Sequence, residues 1–338
     1  MRVADGALVP VQVVPIDNPS FLALDASSSH LYATIENGLA GGQPGGRVAA
    51  YAVDAKTGRL EFIDAQSTAG TYPAHLSVHP SGKFLLGSNY GNGTFPVYRL
   101  NAGGAIGPMT ADAPGVGNGT GPRPDRQEGP HAHQIVADLD GRCVFGVDLG
   151  ADRLYAWTLD DAGKLAPASV PYASVPSGSG PRHLAFHPNR RFVYVLSELS
   201  STIAVFRYDP ARCALVFAEL VSMLPPDYAG PNAAAEIRVH PSGRFLYATN
   251  RGHNTVVEYA VDPERGTLDT IGWESTRGDW PRGMNLDPSG TFLYVANQNS
   301  DSIVVFRVDP ARGALAPTGA VVRTPTPADV EFGAPVAE

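Results

Sequence analysis

The sequence predicts an all-β fold: a seven-bladed β-propeller whose last blade, shared by the two chain ends, is incomplete. Three observations predict it. A turn motif recurs roughly every fifty residues, as HPSG at 79–82, DLDG at 138–141, HPNR at 187–190, HPSG at 240–243 and DPSG at 287–290, with DASS at 25–28 a degenerate first copy. Each turn is followed by a short apolar strand and then an alternating one, and no stretch asks for a long helix. A period of this length fits four short strands with their loops, which is one blade.

Composition agrees with one turn-rich domain spanning 1–338. The 338 residues include 37 Gly and 30 Pro, 43% are hydrophobic and 17% charged, so the chain makes many turns and still buries a core. A formal net charge of −8 argues against nucleic acid or an anionic membrane as the main partner. No apolar run approaches the ~18 residues of a membrane span. Cys143 and Cys213 stand far apart without a paired motif, which predicts free thiols in a reducing compartment. A cytoplasmic location follows from the same reading.

Each copy can be indexed by the last residue of its turn: Ser28, Gly82, Gly141, Arg190, Gly243 and Gly290. Pro80, Pro188, Pro241 and Pro288 share one turn position, where a fixed φ favours chain reversal. Second strands read FLLGSN, CVFGVD, FVYVLSE, FLYATN and FLYVAN; third strands read PVYRL, LYAWTL, IAVFRYD, VVEYAVD and IVVFRVD. A polar turn and a weaker outer strand complete the unit. Residues 102–130, rich in Gly and Pro, read as a long inter-blade loop. The C-terminal TPTPADVEFG (324–333) resembles an opening strand and GALVPVQVV (6–14) an outermost one. The two strands between them are expected upstream of Met1, and a blade without them would expose edges.

The repeat also sorts the polar residues. His79, His187 and His240 recur with the turn and read as scaffold. Asn89, Asp148, Asn250 and Asn297, seven after the index, read as loop caps. Eight before the index stand Ser20, Ala74, His133, Arg182, Ala235 and Arg282; eight after it stand Glu36, Tyr90, Leu149, Glu198, Arg251 and Gln298. In a hairpin these two positions lie at one edge, opposite the turn. Unlike side chains in equivalent slots suggest a site at one mouth of the channel. Arg182, Arg251 and Arg282 could grip an anionic substrate, since guanidinium forks match carboxylate or phosphate oxygens. Glu198 or His133 could act as general base. His131 shares the strand face of His133 and could assist, or could be an exposed loop residue. His75, His183 and Glu236, one position along, should face away into the blade packing. No nucleophile elbow, P-loop, dinucleotide fingerprint or zinc-spaced cluster is present, so neither a cofactor nor a metal is expected.

At GPHAHQ (129–134), DLGADRLYAW (148–157), GPRHLAFHPN (180–189) with SELSS (197–201), AEIRVHPSGRFLYATNRG (235–252) and PRGMNLDPSGTFLYVANQ (281–298), the chain resembles the lactonase family of seven-bladed propellers. With NPSFLAL (18–24) and the TPTPADVEF end, the resemblance spans nearly the whole chain. That family includes propeller-type 6-phosphogluconolactonases and a fungal 3-carboxy-cis,cis-muconate lactonizing enzyme. The resemblance implies a catalytic His, Glu and pair of Arg, falling on His133 (or else His131), Glu198, Arg182 and Arg251. Arg282, Gln298 and His131 would contact substrate. The implied reaction is metal-free hydrolysis of 6-phosphogluconolactone, a small anionic sugar lactone, to 6-phosphogluconate. A muconate-type cycloisomerase and a non-catalytic propeller that binds through its channel mouth are the competing readings. The exact lactone, the choice of base and the oligomeric state stay open at this level.

Overall fold

The computed structural model describes residues 6–117 and 121–333. Its strands form six four-stranded antiparallel sheets, each ordered first to fourth along the chain. The fourth sheet, for example, runs Pro181–Phe186, Phe192–Ser197, Thr202–Asp209 and Ala214–Ser222. The fifth runs Ala233–Val239, Phe245–Arg251, Thr255–Val261 and Leu268–Ser275; the sixth runs Pro281–Leu286, Phe292–Asn297, Ser302–Val308 and Leu315–Arg323. These are the predicted blades, with second and third strands where the sequence placed them.

Two compact units divide the chain. One holds the first three sheets within Pro10–Pro181, together with Asp209–Ala214; the other holds the last three within Arg182–Tyr208 and Leu215–Phe332, together with residues 6–9. In the first unit, Phe84, Phe95, Val97, Ile135, Val144 and Trp157 pack the second sheet on the third. In the other, Tyr194, Leu196, Ile237, Leu246, Val257 and Tyr259 join the fourth to the fifth. Phe245, Tyr247, Met284, Leu293 and Phe306 join the fifth to the sixth. Second strands such as Phe192–Ser197 are buried along their whole length, which explains their unbroken apolar runs. Each large side chain so buried contributes about 1.5–3 kcal/mol.

The turn motif has a backbone cause. Ser28, Gly82, Gly141, Arg190, Gly243 and Gly290 all have left-handed φ, between 55° and 71°. Glycine reaches this region without penalty, so the glycine of HPSG is a conformational requirement. The turn histidines add a link between copies. His79 Nε2 lies 2.8 Å from the Gly141 carbonyl oxygen, His187 Nε2 2.8 Å from that of Gly243, and His240 Nε2 3.0 Å from that of Gly290. Each imidazole therefore ties one turn to the next within its unit. The loop caps behave as expected. Asn89, Asn250 and Asn297 donate to the carbonyls of Thr68, Met223 and Thr276, and Asp148 accepts from the His131 and Ala151 amides.

Three expectations are corrected. Of the proposed loop 102–130, residues Ile106–Pro114 form the fourth strand of the second sheet, while 118–120 lie outside the described residues. Its Gly and Pro content masked a strand whose outer position demands little apolar alternation. Cys143 and Cys213 are not free thiols: they form a buried disulfide, with Cα atoms 5.5 Å apart across 70 residues of sequence. No local spacing could reveal a pairing between a strand start and a distant turn. Finally, neither 6–14 nor 324–333 is a strand, and the described residues contain no seventh four-stranded sheet, only the two-stranded pair Leu39–Ala40 and Gln43–Pro44. Residues 328–332 nonetheless pack against the sixth sheet, with Val330 buried beside Tyr294 and the Phe332 ring 4.9 Å from that of Tyr294. Residues 1–5, next to which the two further strands are expected, lie outside the described residues.

Candidate active site

The first strands carry a common irregularity. Strand register shifts between Pro19 and Leu22, Pro73 and His75, Ala132 and Gln134, Ala234 and Ile237, and Pro281 and Gly283. In these five sheets the interval encloses the residue eight before the turn index. A bulge leaves one residue outside the ladder and re-aims side chains, so the slot is built to present a side chain instead of pairing it.

In the unit that holds the last three sheets, Arg182, Glu198 and Arg251 meet. Glu198 follows the strand Phe192–Ser197, and Arg251 ends the strand Phe245–Arg251. Arg251 Nη2 lies 2.8 Å from Glu198 Oε2, and Arg182 Nε lies 3.3 Å from the same oxygen. All three side chains are at least nine-tenths buried. Backbone holds the cations in place: Arg251 donates to the Ala233 and Ala234 carbonyls at 3.1 and 3.0 Å, and Arg182 donates to that of Ala235. These carbonyls lie at the bulge of the fifth sheet, where the register shift follows Ala234. Burial, with the Arg251 guanidinium beside it, lowers Arg182 to about 9, against the pull of Glu198. It remains a cation at neutral pH.

Arg282 is half-buried and close enough to repel Arg182 electrostatically. Gln298, also half-buried, donates its backbone N–H to the Trp280 carbonyl at 3.0 Å. Trp280 was not foreseen. Its ring centroid lies 5.5 Å from the Arg251 guanidinium carbon, a cation–π contact. Its slot, ten before the turn index, is filled by Tyr72 and Gly180 in two other copies, all three with left-handed φ.

His133 and His131 belong to the other unit. His133 is buried on the strand Ala132–Ala137, with its ring edge-on to Tyr90 at 5.7 Å. His131 is no exposed loop residue. Its ring stacks on Tyr90 at 4.5 Å, with Nδ1 2.9 Å from the Tyr90 carbonyl oxygen and Nε2 3.0 Å from Glu128 Oε1. Arg126 donates to the Tyr90 hydroxyl from Nε and Nη2 at 3.3 Å. Sequence reasoning missed Arg126 and Glu128 because they lie outside the repeat.

His183 and Glu236, expected in the blade packing, are both buried and paired with each other, His183 Nδ1 lying 3.1 Å from Glu236 Oε2. Arg182 Nη1 nevertheless approaches His183 Nδ1 to 3.4 Å, so neighbouring side chains on this strand do not simply diverge. Among the described residues no helix is long and apolar enough to cross a membrane.

Comparison with known proteins places this arrangement in context. The model of the family described as "Lactonase, 7-bladed beta-propeller" matches residues 1–332. The chain is 34% identical to a 6-phosphogluconolactonase of Bacillus subtilis over 278 residues, covering 82% of this chain and 76% of the relative. It is likewise 34% identical to a 6-phosphogluconolactonase of Formosa agariphila, covering 82% and 77%. Among solved structures, the periplasmic gluconolactonase of Pseudomonas aeruginosa is similar with a TM-score of 0.91 and 32% identity, covering 98% of this chain and 93% of that one.

Proposed function

Because the chain belongs to the seven-bladed β-propeller lactonase family, we propose that it hydrolyses a six-membered sugar lactone, 6-phosphogluconolactone, to 6-phosphogluconate. The observation that carries this reading is the Glu198 carboxylate clasped by Arg182 and Arg251 in a buried pocket of charge. Water adds to the lactone carbonyl while Glu198 takes its proton. The carbonyl oxygen becomes an oxyanion, and a guanidinium turning from Glu198 to that oxygen stabilises it. The ring C–O bond then breaks, and the proton held by Glu198 passes to the departing ring oxygen, giving the acid and a hydroxyl. Half-buried Arg282 is suited to the phosphate, whose oxygens accept a guanidinium fork. Gln298 is the remaining substrate-contact candidate in this unit, and His131, of the other unit, is one by sequence motif alone.

His133 is the competing base, and Glu198→Gln and His133→Asn separate the two. Acid release from 6-phosphogluconolactone, followed with a pH indicator, tests the reading. Turnover above spontaneous hydrolysis is expected, with loss of kcat in whichever variant removes the base. Spontaneous-rate hydrolysis by the wild type would sink the proposal.

A second reading keeps the chemistry and drops the phosphate. Disulfides persist in oxidising compartments, the Cys143–Cys213 bond is buried within its unit, and a similar structure is named a periplasmic gluconolactonase. An exported enzyme would meet unphosphorylated lactones. The ratio of kcat/KM for gluconolactone and its 6-phosphate decides between them.

A further inference from the structure

Behind Arg182 runs a chain of buried and half-buried polar contacts. His183 Nδ1 lies 3.1 and 3.2 Å from the two Glu236 oxygens. Glu236 Oε1 also accepts from Arg238 Nη1 and from the Ile237 amide, at 2.5 and 3.1 Å. Arg238 Nε donates to Asn285 Oδ1 at 3.2 Å. Asn285 Nδ2 in turn donates to the Val330 carbonyl at 3.0 Å and to Glu331 Oε2 at 3.3 Å. The side chains of His183 and Glu236 are each 1% exposed.

The chemistry of these contacts fixes their polarity. Burial and the cations Arg182, Arg238 and Arg251 hold His183 well below the usual imidazole range, so the ring is neutral and carries one N–H. A carboxylate only accepts, so that N–H is on Nδ1 and points at Glu236. The 3.4 Å approach of Arg182 Nη1 to the same nitrogen is then a packing contact, since neither group can accept. The imidazole is a wall against which the guanidinium lies, and Glu236 holds the wall upright. Glu236 is also the second countercharge near Arg182, after Glu198.

We propose that Glu236, acting through His183, is a positioning residue for Arg182, and that the relay continues through Arg238 and Asn285 to the C-terminal segment at Glu331. This rests on the reading of Glu198 as the base of a lactonase. Glu198 touches Arg182 of the fourth sheet and Arg251 of the fifth; Arg182 also feels Glu236 of the fifth sheet and Arg282 of the sixth, and Arg238 of the fifth faces Glu236. Asp329 and Glu331 face Arg238 from the C-terminal segment. Removing one charge of the relay must therefore move the acid limb of the pH–rate profile in a direction set by its sign.

The experiment measures kcat/KM against pH for the wild type, Glu236→Gln and Arg238→Gln, with circular dichroism to check folding. Glu236→Gln removes a negative charge, makes Glu198 a weaker base and slackens Arg182. A loss of about tenfold or more is expected, with the acid limb displaced to lower pH by about half a unit. Arg238→Gln leaves Glu236 less compensated and displaces the limb to higher pH. A packing defect would not produce opposite displacements. Should Glu236→Gln fail to fold, Arg238→Gln carries the test alone, because its side chain is 22% exposed. An active wild type whose folded variants keep its profile, or shift it in one common direction, overturns the relay and leaves the lactonase reading intact. A wild type inactive on every lactone overturns both.

Discussion

Arg251 and Glu198 form the tightest charge contact of the candidate site, with Nη2 2.8 Å from Oε2 and both side chains nearly excluded from water. The pair joins the second strand of the fifth sheet to the turn that ends the second strand of the fourth. Buried ion pairs rarely repay their desolvation, and this one also spends a potential base as a countercharge. Such an arrangement makes sense where an incoming anion or oxyanion replaces the carboxylate as partner.

Glu198→Gln should therefore lower kcat by about 10²–10⁴-fold, with a smaller change in KM. Arg251→Lys should also be costly, since one ammonium cannot bond Glu198 and two carbonyls in the same geometry. Steady-state kinetics on the preferred lactone check both. Arg251→Lys with wild-type kcat/KM would remove Arg251 from the reaction.

The Cys143–Cys213 bond should stabilise the fold by about 2–4 kcal/mol. The double variant Cys143→Ser, Cys213→Ser is expected to show a lower urea midpoint than the oxidised wild type. Two thiols titrating in the unreduced, denatured wild type would contradict the bond.

Glu258 gives a pH dependence of known sign. It is buried on the third strand of the fifth sheet, accepts from the Leu315 amide at 2.8 Å, and is pushed up to about 7, chiefly by burial. Between pH 4.5 and 7 the folded chain thus binds more protons at this site than the unfolded chain does. Its contribution to stability is fully present at the acid end and is lost as pH rises through this window, by on the order of 1–3 kcal/mol. Glu258→Gln should flatten the curve of unfolding free energy against pH; an equal slope in the variant would assign the effect elsewhere.

Arg190 occupies the left-handed turn slot that glycine fills at 82, 141, 243 and 290, with φ 62°. Arg190→Gly should relieve that conformation and raise stability by about 0.5–1 kcal/mol, less the entropy glycine adds to the unfolded chain. A lower thermal midpoint would mean that the Arg190 side chain contributes more than its backbone costs.

Much of this was legible because a repeat states its scaffold several times over. The glycine of HPSG, the asparagine seven residues on and the turn histidine each recur, and recurrence separates them from the slots of Arg182, Glu198 and Arg251, whose occupants vary from copy to copy. What escaped lies outside the repeat or across it. Arg126 has no counterpart to stand out against, Trp280 shares its slot with Tyr72 and Gly180 but lies two residues outside the slots compared, and Cys213 finds Cys143 through folding alone. His183 is buried and paired with Glu236, as expected of a residue in the blade packing, but strict alternation gives no sign that its Nδ1 lies 3.4 Å from Arg182 Nη1.

The shifted register at the first strands has a wider consequence. A residue outside the ladder can be exchanged without costing a backbone hydrogen bond, and Ser20, Ala74, His133, Ala235 and Arg282 already show how dissimilar its occupants can be. The scaffold thereby decouples folding from chemistry: new specificities can be written into these positions one blade at a time, at little risk to the sheet that carries them.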